Sequence, residues 1–142
     1  MEQEDSVFWQ RARRLETGPV WRLLGMSIVN AEEGVASVSM PITPAVFQQL
    51  GHVHGGVLMT LLDSAMAAGL DTRLTEDWTA VTSQLNTHFL RPASGAYLTA
   101  TGRVLRLGSH LAVTEGEVRD SSGQLVTAAT AQFFLLARAD NR

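Results

Sequence analysis

The chain has 142 residues, 45% of them apolar, with a formal charge of −3 and no cysteine. That length suits one domain with one core, and the charge balance leaves no broad basic surface for nucleic acid. The lack of cysteine excludes disulfides, thiolate catalysis and cysteine-ligated metal. Met1-Glu2-Gln3-Glu4-Asp5 is acidic where a signal peptide is cationic and then apolar. No run reaches the about 18 apolar residues of a membrane span, so a cytoplasmic protein with no membrane partner is expected.

Asp5 or Ser6 is placed to cap a first helix running to about residue 16, with Val7, Phe8, Ala12 and Leu15 as its apolar positions. Thr17-Gly18-Pro19 stops it, so residues 1–17 are assigned to an N-terminal helix, with Arg11, Arg13 and Arg14 as its solvated face. Residues 20–30 read as a strand and Ala31-Glu32-Glu33-Gly34 as a hairpin turn. Residues 35–40 alternate with period two, a half-buried strand ended by Pro41 and Pro44. The connection that follows carries Phe47, Gln48, Gln49 and Leu50, too apolar for an idle surface loop. A long helix is expected over 55–72, then a turn at Thr75-Glu76-Asp77 and four strands, at 79–90, 96–107, 111–119 and 124–137. Long consecutive strands joined by tight turns favour antiparallel pairing. The order α-β-β-α-β-β-β-β predicts an α+β fold, a single domain over 1–142 in which a curved antiparallel sheet wraps one long buried helix.

The stretch 54–70 organises the rest. Leu58, Leu61, Leu62, Ala65 and Gly69 recur at the helical period and share one face. Thr60, Asp63, Ser64, Ala67 and Asp71 fall on the opposite face, and a helix this apolar is normally buried, so something must cover Asp63. Gly55 and Gly56 allow close approach to the backbone at the helix start. There the unpaired N–H groups and the dipole favour a negative or developing-negative oxygen. An anion-friendly helix start and a covered carboxylate are parts of an acyl-transfer site. Gly55 and Asp63 are eight residues apart, roughly 12 Å along one helix, so one chain cannot bring both to one reacting carbon. If they share a site, a second copy supplies the other half, and the arrangement is a symmetric dimer with composite sites.

Other chemistries fit less well. His52 and His54 have no third ligand nearby, so no metal is expected. His88 reads as a satisfied strand histidine, and Met40, Met59 and Met66 as core or acyl-pocket lining. Ser64 and Ser109 lie in no nucleophile elbow, and His54-Gly55-Gly56 lacks the further glycine and lysine of a phosphate loop.

Three segments together resemble the hotdog-fold acyl-CoA thioesterases of the PaaI (phenylacetate-degradation) type. They are His-Gly-Gly followed by Asp63, the run Asn86-Thr87-His88-Phe89-Leu90-Arg91-Pro92, and Arg106-Leu107-Gly108; the resemblance spans roughly residues 18–136. It implies a homodimer joined sheet edge to sheet edge, often paired into a homotetramer, acting on an acyl-CoA. Coenzyme A is then part of the substrate, and no separate cofactor is expected.

The resemblance implies that the Gly55 N–H polarises the thioester carbonyl and that Asp63 of the opposite subunit is nucleophile or general base. His54 shapes the loop, Gln48 stands where many members carry asparagine to orient water or thioester, and Thr82, with Ser83 beside it, supports the acid. Gly56, Phe47 and Met59 fall to the substrate side, with Leu50 and Trp78 as further acyl-pocket wall. The segment after Gly108 often carries a basic residue for the cofactor phosphates; here Ser109-His110 stands there, which passes that role to Arg91, Arg106 or Arg103. Two rivals share the fold: a non-catalytic acyl-CoA-binding module, which would not need Asp63, and a hydratase or dehydratase, for which no second matching segment exists.

Overall fold

The structure, a computed structural model, describes residue 4 and residues 6–138. Asp5, one of the two expected caps, lies outside the described residues, as do residues 1–3 of the expected N-terminal helix. Helix α1 covers Val7–Arg13 and is capped by Ser6, whose hydroxyl oxygen accepts the Trp9 N–H at 3.1 Å. It tightens into a 3₁₀ turn at Arg14–Thr17.

The strand expected over 20–30 is corrected. Its first half is a second helix, α2, at Pro19–Leu24, and strand β1 begins only at Ser27 and runs to Glu32. The physical reason is legible at both ends. Pro19 occupies the first helical position, where its fixed φ suits a helix and its missing N–H costs nothing. Gly25 closes the helix in the left-handed region at φ 69°. Trp21 packs inward, while Val20 and Leu23 face solvent.

The remaining elements follow the expected order, each end within a residue or two: β2 at Val35–Pro41, α3 at Gly55–Asp71, β3 at Trp78–Phe89, β4 at Tyr97–Leu107, β5 at Leu111–Asp120 and β6 at Leu125–Ala137. They form one antiparallel six-stranded sheet in the order β1-β2-β4-β5-β6-β3, with α3 against its inner face. Leu58, Leu61, Leu62 and Ala65 of α3 are buried in the common core with Val38, Met40, Leu98, Val118 and Phe133.

Two glycines set how closely helix and sheet approach. A Cβ on Gly102 would lie 2.5 Å from the Ala65 backbone, and one on Gly69 would lie 2.6 Å from the Gly102 carbonyl oxygen. Only hydrogen fits on either side of this contact.

The C-terminal end of α3 is tied down by the N-terminal region. Arg11 donates to the Thr72 carbonyl at 3.0 Å and Arg14 to the Leu74 carbonyl at 3.3 Å, with Arg14 also 3.8 Å from Asp71. The Thr72 hydroxyl accepts the Gly34 N–H at 2.8 Å and donates to the Gly69 carbonyl at 2.6 Å. Arg11 and Arg14 are therefore not a plain solvated face: they satisfy carbonyls that a helix end leaves open. Arg13 alone keeps that description, paired with Glu16 at the surface. His88 also departs from expectation. Its side chain is exposed, makes no hydrogen bond to the described residues, and lines a cavity of about 540 Å³ on the sheet face away from α3, together with Arg103, Glu115 and Glu117.

Candidate active site

The approach to α3 is a tight loop. Pro44–Val46 makes a 3₁₀ turn, Phe47 bridges Val53, and Gly51 turns the chain at φ 86°. Val46 and Val53 are buried beneath it, whereas Phe47 and Leu50 are exposed. The Gln48 side-chain oxygen accepts the N–H groups of Leu50 and His52. The amide expected to face the substrate thus braces its own loop through its oxygen, and only its NH₂ group remains for other partners.

The donors of the first helical turn can be followed one by one. The His54 N–H reaches the Val46 carbonyl at 2.8 Å. Those of Val57 and Leu58 both reach the His54 carbonyl, at 3.0 and 3.2 Å. The Gly56 N–H donates to Nδ1 of His54 at 2.9 Å, which makes His54 an aromatic N-cap. A ring nitrogen that accepts carries no proton, so in the neutral imidazole the proton is on Nε2. The Gly55 N–H has no acceptor among the described residues. The two glycines also differ in what surrounds them. A Cβ on Gly56 would lie 3.1 Å from His54 Nδ1 and crowd the cap, while one on Gly55 would meet the Phe89 ring at an ordinary 3.4 Å.

Two turns along α3, the Thr82 hydroxyl of β3 donates to Oδ1 of Asp63 at 2.6 Å. Asp63 is half-buried. Burial holds its carboxyl above the ordinary carboxylate range, and the Thr82 hydroxyl pulls it part of the way back. Thr82 binds one oxygen of the carboxylate, and Oδ2 has no hydrogen bond among the described residues. Ser83, its neighbour, instead donates to the Gln132 carbonyl at 3.2 Å. Met59 is half-buried on α3, between Gly55 and Asp63.

These features fall at two places along β3. Phe89, its last residue, faces Gly55, with Leu90 and Arg91 following at the surface; Thr82, seven residues earlier, holds Asp63. The β4–β5 turn lies at the second place. His110 accepts the N–H of Leu135, which pairs with Ala80, so Arg106, Gly108 and Ser109 are grouped toward the Asp63 end. Gly108 N–H closes that turn on the Leu111 carbonyl at 2.8 Å, and the Ser109 hydroxyl shares a 2.9 Å hydrogen bond with His110 Nδ1. Arg91 follows the Phe89 end of the edge strand β3, whereas Arg106 lies on the interior strand β4, beside the β4–β5 turn. β3 is last in the sheet order, and no strand covers its outer edge among the described residues.

This architecture, one long helix held in an antiparallel sheet with an open donor at its start and an acid two turns on, is that of the hotdog enzymes. Residues 50–127 match the thioesterase superfamily model. The acyl-coenzyme A thioesterase PaaI of Escherichia coli is 33% identical over 112 residues, 78% of each chain. Its solved structure superposes with a TM-score of 0.84 at 28% identity, covering 92% of this chain and 94% of that one. A Bacillus halodurans protein solved with CoA is 40% identical over 70% of each chain, with a TM-score of 0.69. The chain belongs to the thioesterase superfamily, as a hotdog-fold thioester hydrolase of the PaaI type.

Proposed function

We propose that the protein hydrolyses an acyl- or aryl-CoA thioester to the free acid and CoA, in a site built from two copies of the chain. The observation that carries this reading is the Gly55 N–H, left open in a helical turn whose other donors are partnered. A fixed N–H at the positive end of a helix dipole needs no reorganisation as the carbonyl oxygen gains charge. Asp63 supplies the second function through Oδ2, either attacking the carbonyl carbon to form a mixed anhydride that water then cleaves, or taking a proton from a water that attacks directly. The thiolate leaves and is protonated from solvent, so a strong general acid is not required. No resident cofactor enters the reaction.

The dimer follows from the free edge. A two-fold axis pairing β3 with β3 antiparallel would bring the Gly55, Phe89 and Arg91 end of one copy to the Asp63 and Thr82 end of the other. The same operation would bring Arg91 toward the partner copy's β4–β5 turn, so that Arg91 and Arg106 reach one set of cofactor phosphates. It would also cover the edge groups that an open strand exposes. Gln48 through its NH₂ group, Phe47, Gly56 and Met59 belong to the walls of this site, and dimers pair further into a homotetramer in the cytoplasm.

Thiol release from a panel of straight-chain and aryl acyl-CoAs tests the reading, with oligomeric state measured alongside. Turnover of at least one substrate is expected. Binding of acyl-CoA without thiol release from any of them would overturn hydrolysis and leave a binding module.

A further inference from the structure

Phe89 closes β3 opposite Thr127 of β6, on the face of the sheet toward the helix. Its Cζ and Cε1 atoms would lie 3.4 and 3.5 Å from a Cβ on Gly55, so the ring flanks the one residue of the helix start whose N–H is unpaired. The ring is nevertheless 51% exposed, with Leu90 beside it at 52%. A phenyl half open to water in the single chain adds little to that chain's own core. There the ring packs against one flank of Gly55, which is half-buried.

We propose that Phe89 is a positioning residue for the oxyanion donor: its ring keeps water off the Gly55 N–H, so that the donor meets the thioester oxygen unhydrated. This rests on the thioesterase reading, but not on which copy supplies the acid, because ring and donor belong to one chain. Water competes with the substrate oxygen for an open N–H, and a hydrogen bond to a developing charge strengthens where water is excluded. Removing the ring therefore weakens the transition state more than the ground state, and the loss falls on kcat rather than KM. Leucine, apolar and of similar reach, retains most of the shielding.

The test compares wild type with Phe89→Ala and Phe89→Leu in two measurements. Steady-state thiol release is expected to show kcat about tenfold lower in Phe89→Ala, a fraction of the 10²–10³ carried by a whole donor, with KM within about twofold. Phe89→Leu should lose about threefold or less on the same scale. Amide hydrogen exchange at Gly55, followed by NMR without substrate, should accelerate several-fold in Phe89→Ala, while the turn amides of Gly51 and Gly123 do not change. An active wild type with unchanged kcat and unchanged Gly55 exchange in Phe89→Ala overturns this inference alone. So does a rise in KM at constant kcat, which would make the ring a simple substrate contact. A wild type that releases no thiol overturns the inference together with the function it rests on. If Phe89→Ala does not fold, Phe89→Leu decides, by a smaller change of the same sign in both measurements.

Discussion

The two ends of α3 are built on opposite plans. At the C-terminal end every feature ties the helix down: Arg11 reaches the carbonyl of its cap residue Thr72, Arg14 reaches that of Leu74 just beyond, Thr72 links it to the β1–β2 turn, and Asp71 lies buried beside Arg14. At the N-terminal end the His54 ring closes one donor, and the next is left open. The aspartates differ in the same way. Both are pushed up by burial, but Asp71 is offset by the charges of Arg14 and Arg138, whereas Asp63 is held only by a neutral hydroxyl on one oxygen. A helix end that is fully satisfied holds the fold; one left a bond short is available for chemistry.

The sharpest way to break the contrast is at the acid. Asp63→Asn keeps shape and the contact with Thr82 but removes the charge, and thiol release should fall by about 10²–10⁴ with the oligomeric state unchanged from wild type. Close behind is the open donor. Gly55→Pro deletes that N–H at a position where proline is tolerated, because Gly55 is the first helical residue and His54 is extended at ψ 133°. A fall of about 10²–10³ in kcat is expected with the melting temperature nearly unchanged. Gly55→Ala keeps the N–H and should lose far less. An equal loss in both would mean that the open space, and not the N–H, is what matters.

Thr82→Val tests the hydroxyl that lowers the Asp63 pKa. On the proposed mechanism Asp63 acts as the carboxylate, so activity should be lost as pH falls through its pKa. Without Thr82 the pKa rises further, and the acid limb of the kcat/KM profile should move to higher pH, with about tenfold or less lost on the alkaline plateau.

The smallest effect belongs to the closed end and is read as stability. Burial raises Asp71 from 3.8 to about 6 in the folded protein. The folded state therefore holds this proton more tightly than the unfolded chain. The stability so contributed is full below about pH 4 and lost as pH rises toward 6. Asp71→Asn should raise the melting temperature above pH 6, by about 1–3 kcal/mol in stability, and make no difference below pH 4. Thiol release should be unaffected.

The closed and open ends were not equally legible in the sequence. The 3.6-residue period of Leu58, Leu61, Leu62 and Ala65 places the buried face of α3, and alternation with turn residues places the strands, because burial writes its period directly into the chain. The Asp63–Thr82 pairing was also accessible, since the resemblance aligns both. Helix α2 was hidden by a run of apolar residues too short for period to decide, although Pro19 and Gly25 bracket it in the proline-first, glycine-last manner of a helix. What no local pattern could reveal were contacts between distant segments. Arg11 on Thr72, Arg14 on Asp71, and Phe89 facing Gly55 across 34 positions of chain exist only once the sheet has wrapped the helix. Gln48 illustrates the same limit: its spacing to His54 can be read along the chain, but the direction of its amide is set by the Leu50 and His52 N–H groups.

Both ends of α3 hang from one bare contact. Where Gly102 meets the backbone of Ala65 and Met66, no side chain cushions helix against strand, so the helix axis is set by main chain resting on main chain. Ala65 is only two residues from Asp63, and Gly55 lies a further eight toward the N-terminus. Adding a single methyl group at Gly102 would act as a shim under a beam, lifting donor and acid together from β3, where Phe89 and Thr82 are fixed. Displacements near 1 Å can remove about 10²-fold of rate when reacting groups must meet in register. The placement of Gly55 and Asp63 against β3 is thus set at a glycine in the middle of the sheet.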